Sequence, residues 1–465
     1  MKRRDFLLTT GAGLGAASLG GLGVASSAIN QTESIRYDLT VQNAQYGLTD
    51  TITKDMVSVS PDAPPPVLTG RQGQPMAVNV TNSLPEYTAM HWHGLRIPNA
   101  MDGVPYLTQV PIGESETYPY AFTPPDAGTY WYHPHCMTMG QMARGLTGVL
   151  VIEEPVNPGF DADQVVNLRD FRLNDDGSFL PVFTGRGAAR GGTLGNLHTA
   201  NWLTRPTYDH TAGSLLRLRV VNTDTARVHK LYLSAAEAKI IAWDGHPTLD
   251  PITLPTAAKP LLVGPGQRVD IALQMPEHEG QFIELIAKLP GQPKVIASLR
   301  AIGATKNRSL RALSALSPNP VAAPNLRTAQ THEFVFGWSP DESTPNNGIC
   351  GSLGYTFWSI NRIPWAGDAA KGTGPLATLE RGQSYILKLR NESPYTHPIH
   401  LHGLSFLPLR SNKRRLRRNW TDTTLLLRGE TVEIALVADN PGDWAFHCHI
   451  IEHQKTGLAG YIRIN

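Results

Sequence analysis

The sequence is poor in cysteine, in long apolar runs and in helical patterns. Three cysteines in 465 residues cannot build a disulfide framework. Cys136 and Cys350 could pair in an oxidising compartment, but the sequence does not decide whether they do. Beyond residue 28 no stretch approaches the length of a membrane span, which argues against a transmembrane protein. Long amphipathic helical patterns are scarce, which disfavours helical fold classes.

Excess charge is also missing once the first 28 residues are set aside. The chain has 41 basic and 39 acidic residues, and residues 1–28 hold three and one of them, respectively. The remaining 437 residues carry 38 of each, which argues against nucleic acid and anionic membranes as partners. The exception is the basic run from Lys413 to Arg418. We interpret it as a solvated turn, with a docking or substrate role as the alternative.

The first 28 residues have the pattern of a twin-arginine export signal. Lys2-Arg3-Arg4 precedes a modestly apolar run rich in glycine and alanine, and Ser26-Ser27-Ala28 offers small residues for cleavage. A membrane anchor is the alternative, but the run is short for one. The pattern predicts that the protein is exported in its folded state and is periplasmic.

One strand pattern occurs three times in the chain. Each copy has a glycine turn, an alternating strand and an asparagine nine residues after the glycine: Gly73–Asn82, Gly213–Asn222 and Gly382–Asn391. Short Val-, Leu- and Ile-rich runs between Gly- and Pro-bearing turns are typical of all-β sandwiches, and the length is too great for one core. We therefore predict three β-sandwich units, with limits near 30–155, 160–310 and 325–465.

Paired histidines distinguish the outer units from the middle one. Nine and eleven residues beyond the repeated asparagine, the outer units have histidines, whereas the middle unit has Leu231 and Leu233. A second pair stands near the end of each outer unit. On strands, each pair points its rings to one face, and neutral imidazoles suit about three copper ions with positions left open for a small molecule. The four pairs are His91 and His93, His133 and His135, His400 and His402, and His447 and His449.

Cys448 lies between the two histidines of the last pair and should project to the opposite face of its strand. A thiolate with imidazoles is the ligand set of an electron-transfer copper. We predict that Cys448, His397 and His453 form a separate site. Its sulfur would then have a covalent path to the histidine cluster on either side.

Four segments together resemble the copper motifs of the three-domain multicopper oxidases, which include laccases and bacterial relatives. They are His91-Trp-His93-Gly94, His133-Pro-His135, His397-Pro-Ile-His400-Leu-His402-Gly403 and His447-Cys-His449-Ile-Ile-Glu-His453. The resemblance covers the whole chain after the export signal. It implies three consecutive cupredoxin-like Greek-key β-sandwich domains at 30–155, 160–310 and 325–465. The second would hold no copper and the third would hold the type 1 copper.

The resemblance also implies four copper ions with assigned ligands. His397, Cys448 and His453 resemble the type 1 ligands. Leu458 stands at the axial position, where a non-coordinating side chain favours a higher potential. His91 and His400 resemble the type 2 ligands. The type 3 ligands would be His93, His133 and His449 for one ion, and His135, His402 and His447 for the other.

Reduction of dioxygen needs protons, so acids near the cluster are candidate catalytic residues. Asp102 resembles the acid that many relatives place beside the type 2 water, although it could instead be a turn residue before Gly103. Bacterial relatives often have glutamate directly after the last type 1 histidine, where this chain has Gln454, which cannot titrate. Proton supply is therefore expected from Asp102 or from another acid such as Glu452.

The activity implied is one-electron oxidation of a small reducing substrate at type 1 copper, through Cys448, with reduction of dioxygen to water. A phenolic, laccase-like substrate is the leading prediction, and a metallo-oxidase for Cu(I), Fe(II) or Mn(II) is the alternative. Only nine methionines occur, and the group Met137, Met139 and Met142 is interpreted as core. A copper-free envelope protein of the same fold is the non-enzymatic alternative. We expect a monomer, and expect the six remaining histidines to be structural: His198, His210, His229, His246, His278 and His332.

Overall fold

The computed structural model describes residues 33–340, 349–365 and 374–465, apart from the side chains of residues 249–251 and 253. The predicted export signal at 1–28 lies outside these residues. No helix in the described ranges has the length and apolarity to cross a membrane. The helices there are short: α1 (Thr138–Ala143), α2 (Gly185–Ala188), α3 (Ile451–Lys455) and the 3₁₀ turns Asn99–Met101 and Leu310–Ala312.

Strands make up the rest of the regular structure, which confirms the all-β prediction. The first eight are β1 (Ile35–Tyr46), β2 (Thr53–Ser58), β3 (Leu68–Arg71), β4 (Met76–Asn82), β5 (Met90–His93), β6 (Thr117–Phe122), β7 (Gly128–Pro134) and β8 (Gly148–Glu153). They form two sheets, in the orders β2-β1-β4-β6 and β3-β8-β7-β5. Along β4, Met76, Val78 and Val80 are buried and the residues between them are more exposed, so this strand buries one face in the core between the sheets.

The next eleven strands form a second pair of sheets around their own apolar core. They are β9 (Ala162–Phe171), β10 (Leu197–Ala200), β11 (Thr207–Thr211), β12 (Leu215–Asn222), β13 (His229–Leu233), β14 (Ala238–Trp243), β15 (His246–Thr253), β16 (Leu261–Val263), β17 (Arg268–Gln274), β18 (Phe282–Lys288) and β19 (Pro293–Ile302). The sheet orders are β10-β9-β12-β17-β14-β15 and β11-β19-β18-β13-β16.

The last ten strands form a third pair of sheets, again with a separate core. They are β20 (Gln330–Trp338), β21 (Trp358–Ile360), β22 (Ala377–Leu379), β23 (Ser384–Asn391), β24 (His397–Leu401), β25 (Leu407–Ser411), β26 (Thr423–Leu426), β27 (Thr431–Val437), β28 (Gly442–Cys448) and β29 (Ala459–Ile464). Their orders are β21-β20-β23-β27-β25 and β22-β29-β28-β24-β26. The fold is that of consecutive cupredoxin-like sandwiches.

The three repeated strands, β4, β12 and β23, hold equivalent places in their sheets. Each pairs in parallel with the first strand of its group and antiparallel with a later strand. The asparagine that ends each strand is buried: Asn82, Asn222 and Asn391. In every copy its amide donates to backbone carbonyls four or five residues ahead and about thirty or more residues ahead. The repeated asparagine therefore joins two loops to its strand, because its amide can satisfy several buried backbone groups at once.

Candidate metal centres

A cluster of eight histidines is built from two antiparallel strand pairs. In the first group of strands, β5 and β7 place His91 opposite His133. In the third, β24 and β28 place His400 opposite His447 in the same way. The two halves interleave, because the ring of His91 stacks on that of His402 with the centroids 3.8 Å apart. Residues more than 300 positions apart in sequence therefore form one site.

The eight rings are buried and fit metal ligands. None is more than 3% exposed. Burial, together with neighbouring imidazoles, holds the pKa of seven of them below the usual value. His447 is one of these seven, and its pKa is lowered to about 3. Neutral imidazoles offer a lone pair to a metal. Several ring nitrogens have no hydrogen-bond partner among the described residues: His91 Nε2, His93 Nδ1, His133 Nε2, His135 Nδ1, His400 Nε2 and both nitrogens of His449.

Asp102, a candidate acid from the sequence, lies against the cluster. Its Oδ2 is 2.9 Å from His402 Nδ1, and its backbone carbonyl oxygen is 2.7 Å from His91 Nδ1. It is 1% exposed. These contacts favour the proton on Nδ1 of both rings and leave each Nε2 directed into the cluster. The reading of Asp102 as only a turn residue before Gly103 does not account for them.

Asp422 is a second acid at the cluster, and sequence reasoning missed it. Its Oδ1 lies 3.2 Å from His93 Nε2 and 3.3 Å from His400 Nδ1. Arg268 binds both of its oxygens, at 2.9 and 2.7 Å. Charge on this guanidinium, with the histidine contacts, holds the pKa of Asp422 well below its usual value against the opposing effect of burial. The available signal was Arg268 itself, because an arginine that begins an apolar strand requires an acidic partner.

The second site surrounds Cys448. Its Sγ is 3.6 Å from His397 Nδ1 and 3.5 Å from His453 Nδ1, and the two nitrogens are 3.0 Å apart. All three residues are fully buried, and burial raises the pKa of the thiol. Leu458 is buried in the same apolar cluster as Cys448. Three ligand atoms this close, with a backbone N–H from Ile450 on the sulfur, fit one copper ion.

The two sites share one strand. His447, Cys448 and His449 succeed one another, and the structure groups His447 with the cluster, Cys448 with His397 and His453, and His449 again with the cluster. This is the alternation that strand geometry requires. The sulfur of one site is thus a few covalent bonds from the rings of the other.

Three successive side chains of helix α3, those of Glu452, His453 and Gln454, contact three different parts of the structure. His453 reaches Cys448, and its Nε2 donates to the carbonyl of Arg190 at 2.7 Å. Gln454 reaches the cluster, with its amide nitrogen 3.3 Å from His135 Nε2. Glu452 turns away from both. Its carboxylate accepts hydrogen bonds from Thr193 and from the backbone N–H of Thr184.

Glu452 therefore attaches the segment 184–193 to helix α3 by hydrogen bonds. This segment contains α2 and covers His453. The structure does not bring the Glu452 carboxyl to the eight histidines, and the carboxylate instead accepts hydrogen bonds from Thr184 and Thr193 of this segment. Its role as a proton source stays a prediction from sequence. Trp358 fastens the same segment by donating from Nε1 to the carbonyl of Ala188 at 2.7 Å.

Gly266, in the turn between β16 and β17, brings the backbone of the second pair of sheets against the histidine cluster. Its φ is +88°, and a Cβ there would lie 3.0 Å from the rings of both His93 and His449. Only glycine combines this backbone conformation with such an approach. The middle strands therefore contribute a boundary to the site without contributing a ligand.

The remaining predictions concern cysteines, methionines and other histidines. Cys136 and Cys350 form a disulfide, which the sequence had left open. Met139 and Met142 pack in an apolar cluster, as expected of core residues. The histidines outside the motifs have ordinary protein partners: His198 bonds Asp170, His210 bonds Gln164, His229 bonds Asp224, His246 bonds Ser405, the His332 ring contacts Tyr385, and the His278 carbonyl accepts from the Gln281 N–H.

Fold and sites together define a copper redox protein of cupredoxin architecture. Two models of the multicopper oxidase family match the chain, at residues 40–157 and 347–465. A crystal structure of a multicopper oxidase from Pseudomonas thermotolerans is 36% identical with a TM-score of 0.84, covering 93% of this chain and 100% of that one. The chain belongs to the multicopper oxidases, copper-dependent oxidoreductases that couple oxidation of a reducing substrate to reduction of dioxygen.

Of two more distant relatives, one is named a multicopper oxidase and the other a laccase. The multicopper oxidase MmcO of Mycobacterium tuberculosis is 28% identical over 434 residues, which are 85% of this chain and 80% of that protein. Laccase-1 of Botryotinia fuckeliana is 28% identical over 475 residues, 91% of this chain and 81% of its own length.

Proposed function

We propose that the protein is a laccase-like oxidase that takes electrons from small phenolic compounds and holds four copper ions. The observation that carries the phenolic part is an aromatic stack leading to His453. Trp338 is 45% exposed and stacks on buried Trp358, with the ring centroids 4.2 Å apart. The Trp358 ring in turn lies 4.7 Å from that of His453. An aromatic donor can stack on such a surface ring.

The copper ligands are proposed from the donor atoms and their grouping. His397, Cys448 and His453 would hold the type 1 ion, with Leu458 as a non-coordinating neighbour that favours a higher potential. His91 and His400 would hold the type 2 ion. The two type 3 ions would be held by His93, His133 and His449, and by His135, His402 and His447. When bound, copper supplies the one-electron redox steps and the positions at which dioxygen is reduced.

The chain's own residues organise electron and proton transfer. Four one-electron oxidations of the donor supply four electrons, which with four protons convert one dioxygen into two waters. The hydrogen bond from His453 Nε2 to the carbonyl of Arg190, an exposed residue, links the Cys448 site to the surface. Asp102, in contact with His91 and His402, is the proposed acid for proton delivery.

A phenolic donor is favoured over a metal ion because of what surrounds His453. Oxidation of a metal ion needs a site of carboxylates or thioethers beside the electron acceptor. In the described part of the chain, Glu452 next to His453 is already engaged by Thr193 and Thr184. Met139 and Met142 belong to an apolar core. The named laccase among the relatives adds support.

The test is a steady-state comparison of 2,6-dimethoxyphenol, Cu(I), Fe(II) and Mn(II) with the copper-loaded protein. We expect the largest kcat/KM for the phenol. A larger value for one of the metal ions would replace the phenolic proposal by a metallo-oxidase. A colourless copper-loaded protein would overturn the type 1 assignment, and Cys448→Ser should abolish the blue colour while leaving a folded protein. Oxidase activity that survived in Cys448→Ser would contradict electron transfer through the sulfur.

We also propose an organisation and a location for the protein. The three pairs of sheets support domains near 30–155, 160–310 and 325–465, joined in a monomer that sedimentation would verify. Residues 1–28 would direct twin-arginine export to the periplasm, an oxidising compartment that suits the disulfide between Cys136 and Cys350. Replacement of Arg3 and Arg4 by lysine should retain the precursor in the cytoplasm. Unchanged export of that variant would refute the signal.

A further inference from the structure

A cavity of about 490 Å³ lies between the second and third pairs of sheets. One wall comes from the end of β14 and the segment that leads into β16. The other comes from β26 and from the segment 414–419, which contains most of the basic run noted in the sequence. A volume of this size suits a small organic ligand. The proposed oxidase function does not use it.

The walls of the cavity are largely apolar. Nonpolar side chains line it from both pairs of sheets: Trp243, Leu254, Pro260, Leu262, Leu416 and Leu425. A largely apolar interior with one indole ring favours an aromatic ligand over a sugar or an inorganic ion.

The rim of the cavity is cationic. Lys259, Arg414, Arg415 and Arg417 line it, and none of the described residues that line it is acidic. Arg414 is neutralised by Glu430, with Nε 2.8 Å from Oε1. Arg417 instead lies over the ring of Trp243, its guanidinium carbon 5.7 Å from the centroid. No ion pair of Lys259, Arg415 or Arg417 with a described acid exists within 4.0 Å, so three cations at the rim remain uncompensated.

The cavity is separate from the Cys448 site. Leu425 lines the cavity, and the next residue of β26, Leu426, points to the opposite face of the sheet. Leu426 stands opposite His397 in the register of β24 and β26. Leu425 and His397 therefore lie on opposite faces of this sheet, and His397, Cys448 and His453 are not among the residues that line the cavity.

We propose that this cavity binds a small aromatic anion, an arene sulfonate or carboxylate, with the ring against Trp243 and Leu416 and the anionic group on Arg415 and Arg417. Guanidinium groups match the geometry of such anions and form strong charge-assisted hydrogen bonds to them. The apolar walls then supply the affinity that exposed cations alone would lack. The basic run is thus assigned to ligand binding rather than to a solvated turn.

The experiment is calorimetric titration of the copper-loaded protein with naphthalene-2-sulfonate. We expect saturable one-site binding that weakens as salt is raised. Arg417→Gln and Arg415→Gln should each weaken it by about tenfold, the usual scale for one charge-assisted hydrogen bond. The matched control is Arg418→Gln, which removes the same charge from an exposed neighbour that does not line the cavity. Its affinity should change by less than about twofold.

Two further probes separate the contributions of ring and charge. Naphthalene-2-sulfonamide has the ring without the charge, and inorganic sulfate has the charge without the ring. Both should bind at least about tenfold more weakly than the sulfonate. An unchanged melting temperature and unchanged blue absorption would establish that the variants are folded and loaded. Absence of binding, equal losses in Arg417→Gln and Arg418→Gln, or equal affinity for the sulfonamide would each overturn the proposal.

Discussion

Asp102 Oδ2 and His402 Nδ1 are 2.9 Å apart, and they belong to opposite halves of the histidine cluster. The same aspartate touches His91 through its backbone carbonyl, at 2.7 Å. Asp102 therefore orients a ring from each half, as Asp422 does for His93 and His400. Positioning and proton transfer can be separated by removing the charge while keeping the shape.

Asp102→Asn should slow dioxygen reduction by about 10- to 100-fold, the usual range when an outer partner of a metal ligand is changed. Reduction of the blue site by the phenol should change little, because Asp102 does not touch Cys448, His397 or His453 among its hydrogen bonds. Stopped-flow measurement of bleaching without oxygen, and of recolouring with oxygen, separates the two steps. Equal effects on both would count against a proton role.

Gln454→Glu should make dioxygen reduction faster or extend it to higher pH. The Gln454 amide lies 3.3 Å from His135 Nε2 and is 5% exposed, so a carboxyl there would add a proton donor at the edge of the cluster. The measurement is the pH profile of oxygen consumption at saturating phenol. Glu452→Gln serves as the control at the nearby acid, and its profile should keep the wild-type shape. A profile for Gln454→Glu that matches wild type would refute the expectation.

Glu452→Gln should instead weaken the attachment of the segment 184–193. Glutamine keeps one acceptor oxygen, and its amide nitrogen cannot accept the second of the two hydrogen bonds that Thr193 gives through its N–H and its hydroxyl, so we expect a loss of about 1–3 kcal/mol in the free energy of unfolding. Denaturant unfolding measures it. Thr193→Val should have part of the effect and Thr193→Ser little. A slowed reoxidation by dioxygen, with stability unchanged, would assign Glu452 to proton transfer.

Trp338→Leu should raise KM for the phenol several-fold while leaving oxidation of a small inorganic reductant such as ferrocyanide unchanged. The reason is that Trp338 offers the exposed face of the stack on Trp358. Tyr355→Leu is the matched control, since Tyr355 is also exposed but stacks on Phe357. The phenolic site lies elsewhere if Trp338→Leu behaves like wild type, or if both variants lose activity equally.

Asp244 should make the protein less stable as pH rises from about 4 to about 7. Burial, together with the nearby carboxylate of Asp422, raises its pKa from 3.8 to about 7. Since the folded-state pKa is above the unfolded one, the folded state binds more protons in this window, and stability falls with rising pH by about 1.4 kcal/mol per unit of difference. Asp244→Asn removes the titration.

The measurement for Asp244 is the free energy of unfolding of wild type and Asp244→Asn at several pH values. Asparagine can still accept the hydrogen bond that the Arg268 N–H gives to Asp244 Oδ1. The stability difference between variant and wild type should therefore grow in favour of asparagine between about pH 4 and 7 and stay constant above. A difference that does not depend on pH would show that Asp244 does not titrate in this range.

Sequence reasoning succeeded where the signal was local and repeated. The His-x-His pairs and the asparagines of β4, β12 and β23 keep fixed spacings, so the copies could be compared directly. It failed at contacts between distant segments. Arg268 and Asp422 are 154 residues apart, and Arg190 and His453 are 263 apart, and no local pattern links either pair.

The direction of Glu452 shows a different limit. The sequence did not reveal that residues 451–455 form a turn of helix rather than a strand or loop. A helix rotates each successive side chain by about 100°. Glu452, His453 and Gln454 consequently face three different surroundings. The different surroundings of Glu452 and Gln454 could be recognised only once this short helix was known.

Gly266 brings the middle strands against the histidine cluster, to which the strands before and after them supply the rings. Its missing side chain lets the middle strands approach within contact of His93 and His449, where even a methyl group would be 3.0 Å from both rings. A shortened chain that joined only the outer units would keep all eight histidines and still lack this side of the enclosure. The middle strands thus supply one wall of the histidine cluster, although all eight of its rings come from the outer strands.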